Sequence, residues 1–312
     1  MKKKILITGS EGFIGNHLIK FLSKKNYSIF GSYYKSKNFY SNDNIKYIRC
    51  DVRDFQRLKK IILKIKPNII FHLAAKSHPN FSFKNPIETI NTNIKGTINL
   101  LEVCKKFYKN PKIILACSSA QYGSRTFNKL PMKESDIHLP EHIYGLSKVF
   151  QDKLGAQYNK MYSLKIVRAI LFNTSGPGKL NDVFNDICSQ FVKNNNKKKV
   201  IISCGNLNNQ RDFMHVDDAV NALYTLASRG KNGESYNVGC GKLTKVREII
   251  NILEKLYNTK INIRINKRLY RKFDERFILS SNKKIRSLNW KPNKSIKDII
   301  KEMVSYYTLI KR

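Results

Sequence analysis

Acidic residues are scarce in this 312-residue chain: 22 Asp and Glu stand against 59 Lys and Arg, for a formal net charge of +37. So large an excess raises nucleic acid or an anionic membrane as a partner. The lysines run along the whole length, however, and accompany many Asn and Ile rather than forming one basic arm. We read them as a compositional bias on solvated faces, with nucleic acid not the favoured partner. The excess does suit a doubly negative ligand such as a nucleotide diphosphate. Cysteines at metal or redox spacing are also missing: Cys50, Cys104, Cys117, Cys188, Cys204 and Cys240 never form Cys-x-x-Cys, and several lie in apolar runs. Buried free thiols in a reducing compartment follow. The six histidines form no His-Glu-x-x-His arrangement, which disfavours a protein-bound metal. No apolar run reaches membrane-spanning length, and the one after Met1-Lys2-Lys3-Lys4 stops at Thr8-Gly9. Neither a membrane span nor a signal peptide is therefore expected, and a soluble cytoplasmic protein is.

With 41% hydrophobic residues, the chain can bury one large core or two domains sharing one. Short β-branched runs at Ile5 to Thr8, Tyr27 to Ser32, Lys46 to Arg49, Asn68 to Leu73, Lys112 to Cys117 and Lys165 to Phe172 read as strands. Between them, Phe13 to Lys24, Phe55 to Ile65, Ile87 to Phe107 and Ile143 to Met161 carry apolar residues at helical spacing. That alternation predicts an α/β fold, a doubly wound parallel sheet covered on both faces. The breaker cluster Asn173-Thr174-Ser175-Gly176-Pro177-Gly178 marks a boundary, dividing a cofactor domain (1–172) from a smaller C-terminal substrate-binding domain (173–312). The helix expected at Val216 to Ala227 and the strand at Tyr236 to Gly239 can return to the first domain, around 213–240. Helices are also expected at Thr244 to Tyr257 and, with Ser295 as N-cap, at Ser295 to Tyr307.

Gly9, Gly12 and Gly15 lie in a turn between the first strand and first helix, spaced for a diphosphate at a helix N-terminus, with Phe13 and Ile14 alongside. This is the Rossmann arrangement for a nicotinamide dinucleotide. An NAD site places Asp or Glu at the end of the second strand to hold the ribose 2'-hydroxyl, yet no acid occurs from Asn16 through Asn42. NADP(H) is therefore favoured over NAD(H), with Ser32, Lys35 and Lys37 available to a 2'-phosphate. Asp51 and Val52 follow the third strand, where a carboxylate can accept from an adenine amino group. Leu73, Ala74 and Ala75 follow the fourth, and the alanines are small enough for close backbone approach.

Tyr144 and Lys148 are four residues apart, so they share one helix face. A free tyrosine needs a shift of roughly three pKa units, about 4 kcal/mol, to exchange protons at neutral pH, and a fixed cation favours it. Tyr33/Lys37 and Tyr307/Lys311 repeat the spacing, but only Tyr144 comes after a cofactor turn and a hydroxyl, Ser118, at a strand's C-terminal end. Together these residues resemble the extended short-chain dehydrogenase/reductase family of nucleotide-sugar epimerases, dehydratases and reductases. The resemblance implies that Tyr144 is the acid/base, that Lys148 supports it and holds the nicotinamide ribose, and that Ser118 orients the substrate oxygen. Dehydratases of the family carry an acid just after that hydroxyl. Ser119 and Ala120 stand there instead, which leaves ketone reduction or epimerisation. The second half resembles enzymes of GDP-mannose-derived deoxysugars. By that likeness Asn173 and Arg211 hold the diphosphate, Ser77 lies by the sugar, and Arg271 and Asp274 meet the nucleotide, although Lys272 replaces the usual proline. A domain-bridging salt bridge is the alternative for Arg211. The expected activity is NADPH-dependent reduction of the C4 ketone of a GDP-linked 4-keto-6-deoxy sugar, with a 4-epimerase holding NAD as the alternative. The family likeness also implies a homodimer through Ile87 to Phe107 and Ile143 to Met161.

Overall fold

Ile5, Leu6 and Ile7 are all buried, as consecutive residues of a strand can be only where both faces of its sheet are covered. In the computed structural model, which describes residues 2–35, 40, 42–195, 199–270 and 277–311, they lie in β1 (Lys3–Thr8). The chain continues through α1 (Phe13–Ser23), β2 (Tyr27–Tyr33), β3 (Ile45–Arg49), α2 (Phe55–Ile65), β4 (Ile69–His72), α3 (Pro79–Lys84), α4 (Pro86–Ile90), α5 (Gly96–Phe107), β5 (Lys112–Ser118), α6 (Ile143–Tyr162) and β6 (Ile166–Leu171). Beyond it come β7 (Asn173–Ser175), α7 (Val183–Asn194), β8 (Val200–Cys204), β9 (Gln210–His215), α8 (Val216–Arg229), β10 (Ser235–Val238), β11 (Leu243–Lys245) and α9 (Val246–Tyr257). The last elements are β12 (Ile261–Ile265), β13 (Phe277–Ile278), α10 (Lys283–Arg286) and α11 (Ile296–Lys311).

Parallel strands in the order β10-β6-β5-β4-β1-β2-β3 form the main sheet. Strand order reverses between β1 and β4, which opens a crevice at their carboxyl ends where ligands bind in such sheets. One face is covered by α1 and α8, whose Leu18, Leu22, Val220 and Leu223 share a buried cluster with Ile5 and Ile7. The other is covered by α2, α5 and α6, with Leu58, Ile62, Leu100 and Leu101 packed beside Leu6 and Ile70. The chain thus comes back to this sheet after residue 173: α8 lies on it, and β10 pairs with β6 from Ser235↔Arg168 to Val238↔Leu171. A separate cluster, containing Phe184 and Phe191 of α7, Ile249 and Leu253 of α9 and Ile300 and Met303 of α11, makes the core of the smaller lobe.

Two helices differ from the periodic reading. The apolar spacing over Ile87 to Phe107 is met by α4 and α5 joined through a π-helical turn, Asn91–Lys95. Asn93, buried in that turn, accepts from the Lys76 N–H and donates to Ser147 Oγ of α6, so the widened turn aims a side chain that regular winding would place elsewhere. Thr244 belongs to β11, where it pairs with Arg211, and the helix starts only at Val246. Ser295 caps α11 reciprocally: its Oγ accepts from the Asp298 N–H, while the Asp298 carboxylate accepts from the Ser295 N–H, a capping box with Asp in the third position.

Candidate functional site

Directly after β1 the backbone turns at Gly9, where φ is +70° and a Cβ would lie 2.7 Å from the Ala74 Cα. Glycine alone accommodates both the left-handed conformation and the approach of the β4 end. At Gly15 a Cβ would fall on the Gly9 carbonyl oxygen, so its absence lets α1 seat on the turn. Gly12 is the N-cap of α1; no side chain caps this helix and no acid lies in its first turn. Its first N–H groups face a cavity of about 560 Å³ that Gly9, Gly12, Phe13, Ile14 and Gly15 help to line. An uncapped helix N-terminus in a concave site is a seat for an anion.

Ser118, at the end of β5, and Tyr144 and Lys148, on the first turns of α6, line the same cavity. Ser118 Oγ accepts from the Ala120 N–H at 3.3 Å, which starts a short 3-10 turn and holds the hydroxyl at the sheet edge. His142 caps α6 by accepting from the Gly145 N–H through Nδ1 at 2.9 Å. Its ring stacks on Tyr144, with centroids 5.9 Å apart, so the cap also orients the phenol. Lys148 Nζ lies 5.8 Å from the centroid of the Tyr144 ring. It is buried, and burial lowers its pKa to about 8; its N–H groups reach the Ala116 carbonyl and Gln151 Oε1, each at 2.7 Å. A phenol beside a fixed ammonium and a hydroxyl at a strand end can bind a carbonyl or carbinol oxygen and exchange a proton with it.

Leu73, Ala74, Ala75, Ser77, Asp51, Val52 and Ser32 continue the lining on one side, and Asn173 and Arg211 on the other. Ser32 Oγ and Asn173 Nδ2 are buried with no protein partner, an arrangement that a polar ligand would satisfy. Those orphaned atoms, the glycine cradle and the uncapped α1 fit a nicotinamide dinucleotide. Asp51 is held below the usual carboxylate range: burial pushes it up, but the Arg53 guanidinium and N–H outweigh that. Lys35 is exposed and lies outside the lining; its ammonium rests over the Tyr34 ring at 5.3 Å. Arg271, Asp274 and Lys37 lie outside the described residues.

Several lining residues, Glu11, Arg53 and Lys179 among them, carry no local sequence signal for the site. Glu11 sits inside the glycine turn itself, yet its carboxylate crosses to the end of β2 and accepts from the N–H groups of Tyr34 and Lys35 at 2.9 and 3.1 Å. An acid therefore does stand beside β2, supplied by another strand's turn, so the acid-free stretch from 16 to 42 does not describe the site. Arg53 donates to the Tyr34 hydroxyl at 3.1 Å and brings positive charge to the same end. Lys179, its pKa lowered by burial, lies 5.0 Å from the centre of the Phe13 ring. The turn residues Gly176-Pro177-Gly178 before it were legible only as a breaker. Away from this cavity, ligand atoms of His215, Asp217 and Glu302 lie within 4.8 Å of one another. Both His215 nitrogens are engaged, Nδ1 by the Asp217 N–H and Nε2 by Glu302, which describes a helix cap. Among the described residues no helix is long and apolar enough to cross a membrane.

The GDP-mannose 4,6 dehydratase family matches residues 6–303. A UDP-glucuronate 4-epimerase of Thermodesulfobacterium geofontis is 30% identical, over 96% of this chain and 95% of its own length. Among solved structures, the UDP-glucose 4-epimerase of Thermotoga maritima with UDP-glucose aligns at a TM-score of 0.89 and 26% identity, covering 99% of this chain and 100% of that one. RMD from Pseudomonas aeruginosa complexed with NADPH aligns at a TM-score of 0.85 and 24% identity, covering 99% and 100%, a likeness of fold. The family match runs from β1 into α11 and takes in the glycine turn, Ser118 and the Tyr144 helix, and the chain accordingly belongs to the extended short-chain dehydrogenase/reductases, as an NAD(P)-dependent nucleotide-sugar enzyme of the epimerase and dehydratase type.

Proposed function

We propose that this enzyme works at C4 of a nucleotide-diphosphate sugar without eliminating water. One observation carries the reading: Ser118, Tyr144 and Lys148 line one cavity, while Ser119 and Ala120, next to that serine, offer no acid. The nicotinamide, when bound, supplies or takes the hydride. Tyr144 gives the C4 oxygen its proton or removes it, Lys148 contributes the positive charge that favours the phenolate, and Ser118 orients the oxygen. Asn173 and Arg211 hold the diphosphate, Arg by its suitability for bidentate contact, and Ser77 lies by the sugar. Residues 1–172, with α8 and β10, form the cofactor domain, and most of the remainder the sugar domain.

Our first reading is net reduction, by NADPH, of the 4-ketone of a GDP-linked 4-keto-6-deoxy sugar of mannose or heptose type. The GDP preference is supported by the likeness to the GDP-mannose family. The second reading, a 4-epimerase with tightly held NAD, is favoured by the 30% identity to a UDP-glucuronate 4-epimerase. Stoichiometric loss of NADPH on adding the GDP-linked keto sugar supports the first. Purified protein that carries NAD and turns over without added cofactor supports the second, and no reaction with any GDP-, UDP-, CDP- or dTDP-linked sugar rejects both. We place the enzyme in the cytoplasm, in keeping with six free cysteines. It is proposed as a homodimer through α4 to α6, where Ile87, Ile90, Phe150 and Met161 are exposed apolar side chains.

NADP(H) is our reading over NAD(H) because Arg53 and Lys35 flank the end of β2; Glu11 opposes it. Glu11→Gln removes a negative charge from the position a 2'-phosphate would occupy. It should raise the ratio of NADPH to NADH affinity by about fivefold, the effect of roughly 1 kcal/mol of like-charge repulsion screened by water. Fluorescence titration of both cofactors checks this, and an unchanged ratio places Glu11 away from the 2' position.

A further inference from the structure

Lys148 can only donate, so the partner it meets at 2.7 Å fixes the Gln151 amide: Oε1 faces the ammonium, and Nε2 donates to Thr97 Oγ1 at 3.1 Å. Thr97 commits its own proton to the Asn93 carbonyl at 2.6 Å. Its oxygen must then accept from His72 Nε2, 3.1 Å away. His72 therefore carries its proton on Nε2, and its Nδ1 accepts from the Thr8 hydroxyl at 2.8 Å. Thr8 closes β1, one residue before Gly9. All of these side chains are buried, and each hydrogen bond has one allowed direction.

We propose that Gln151 is a positioning residue that holds the Lys148 ammonium through the hydrogen-bonded chain Gln151–Thr97–His72–Thr8, bracing the Tyr144 helix against the strand that carries the glycine turn. The role in turnover rests on the reading that Lys148 supports Tyr144. Protons from both arms converge on Thr97, whose own proton ends on a backbone carbonyl, so the chain orients Lys148 and does not conduct protons. His72 suits this neutral, fixed part, since burial and then the Lys148 cation bring its pKa down to about 3. The groups facing Lys148 are His72 from β4, Cys117 from β5 and Tyr144 on its own helix. Burial pushes the Cys117 thiol up, and the nearby Asp152 carboxylate is paired with Arg168. Among the described residues, the amide oxygen of Gln151 is thus the side-chain acceptor hydrogen-bonded to Lys148.

The test follows Lys148 directly in the cofactor-free enzyme by 13Cε/15Nζ NMR titration, its signal assigned by loss in Lys148→Arg. Gln151→Met keeps the length but removes the acceptor, and should lower the Lys148 midpoint by about one pH unit, a tenfold change in proton affinity. Gln151→Glu should raise it by about as much. Thr97→Val, which deletes the hydroxyl shared by both arms, should lower it less, and Thr97→Ser should restore it. NADPH affinity by calorimetry and the pH profile of kcat are then expected to move with the midpoint. Folded Gln151 variants that titrate with the wild type overturn the proposal. If the Gln151 variants do not fold, the Thr97 pair decides, and equal midpoints in Val and Ser overturn it likewise. Because the NMR reading needs no sugar, shifted midpoints without turnover on any nucleotide sugar would keep the brace and reject the proposed function.

Discussion

Tyr144→Phe should reduce kcat by about 10³-fold, the middle of the range for a positioned acid or base, and leave cofactor affinity nearly intact. The ring stacks on His142, and its helix packs on β5; neither contact needs the hydroxyl. Phenylalanine therefore preserves the shape of the site and removes only the exchangeable proton. Product formation with the preferred nucleotide sugar measures the loss, and calorimetric titration with NAD(P)H measures the affinity. A mutant that keeps more than about a tenth of wild-type kcat would assign the proton to another group. One that loses cofactor binding together with turnover would show Tyr144 to be part of the cofactor seat.

Asp152→Ala should cost about 3–5 kcal/mol of stability and lower Tm by roughly 10 °C. Arg168 of β6 donates to both Asp152 oxygens at 3.0 Å and to the Gly233 carbonyl at 2.7 Å. The Asp152 side chain is 3% exposed and that of Arg168 11%, so removal of the carboxylate leaves a guanidinium buried without a counter-charge. Asp152→Ala/Arg168→Met removes both charges and should melt above Asp152→Ala, because two charges no longer have to be kept from water. Calorimetric melts of the wild type, both single variants and the double variant form the cycle. An Asp152→Ala melt matching that of a surface substitution, within about 0.5 kcal/mol, would mean that the guanidinium finds another partner or reaches solvent. The pair also fastens α6 to the sheet one turn beyond Lys148, so the cycle measures how firmly the Tyr144 helix is held.

Much of the site was legible because it is local. Three glycines within seven residues specify a strand-turn-helix whatever surrounds it, and Tyr144 and Lys148 share a face because they are four residues apart on a helix. Ser118 could be placed at a sheet edge because an apolar run ends on it. Charge was less informative, since lysines along the whole chain conceal which few face a ligand. Arg53 is hidden among them in this way, although it is two residues from Asp51.

By itself the sequence determined the alternation of strands and helices, the glycine turn between the first strand and the first helix, and the residue types that can move a proton, all of which follow from spacings within or between neighbouring elements. The tertiary structure alone decided that Glu11 stands at the end of β2, that β10 completes the main sheet beside β6, and that Gln151, Thr97 and His72 join Lys148 to Thr8. These contacts link residues from different elements, 67 positions apart in the chain for Arg168 and its strand partner Ser235 and 64 for Thr8 and His72. Periodicity carries no information about such pairs; they exist because the sheet places β1 beside β4 and β2, and the π-helical turn before α5 brings that helix's polar side chains over their ends.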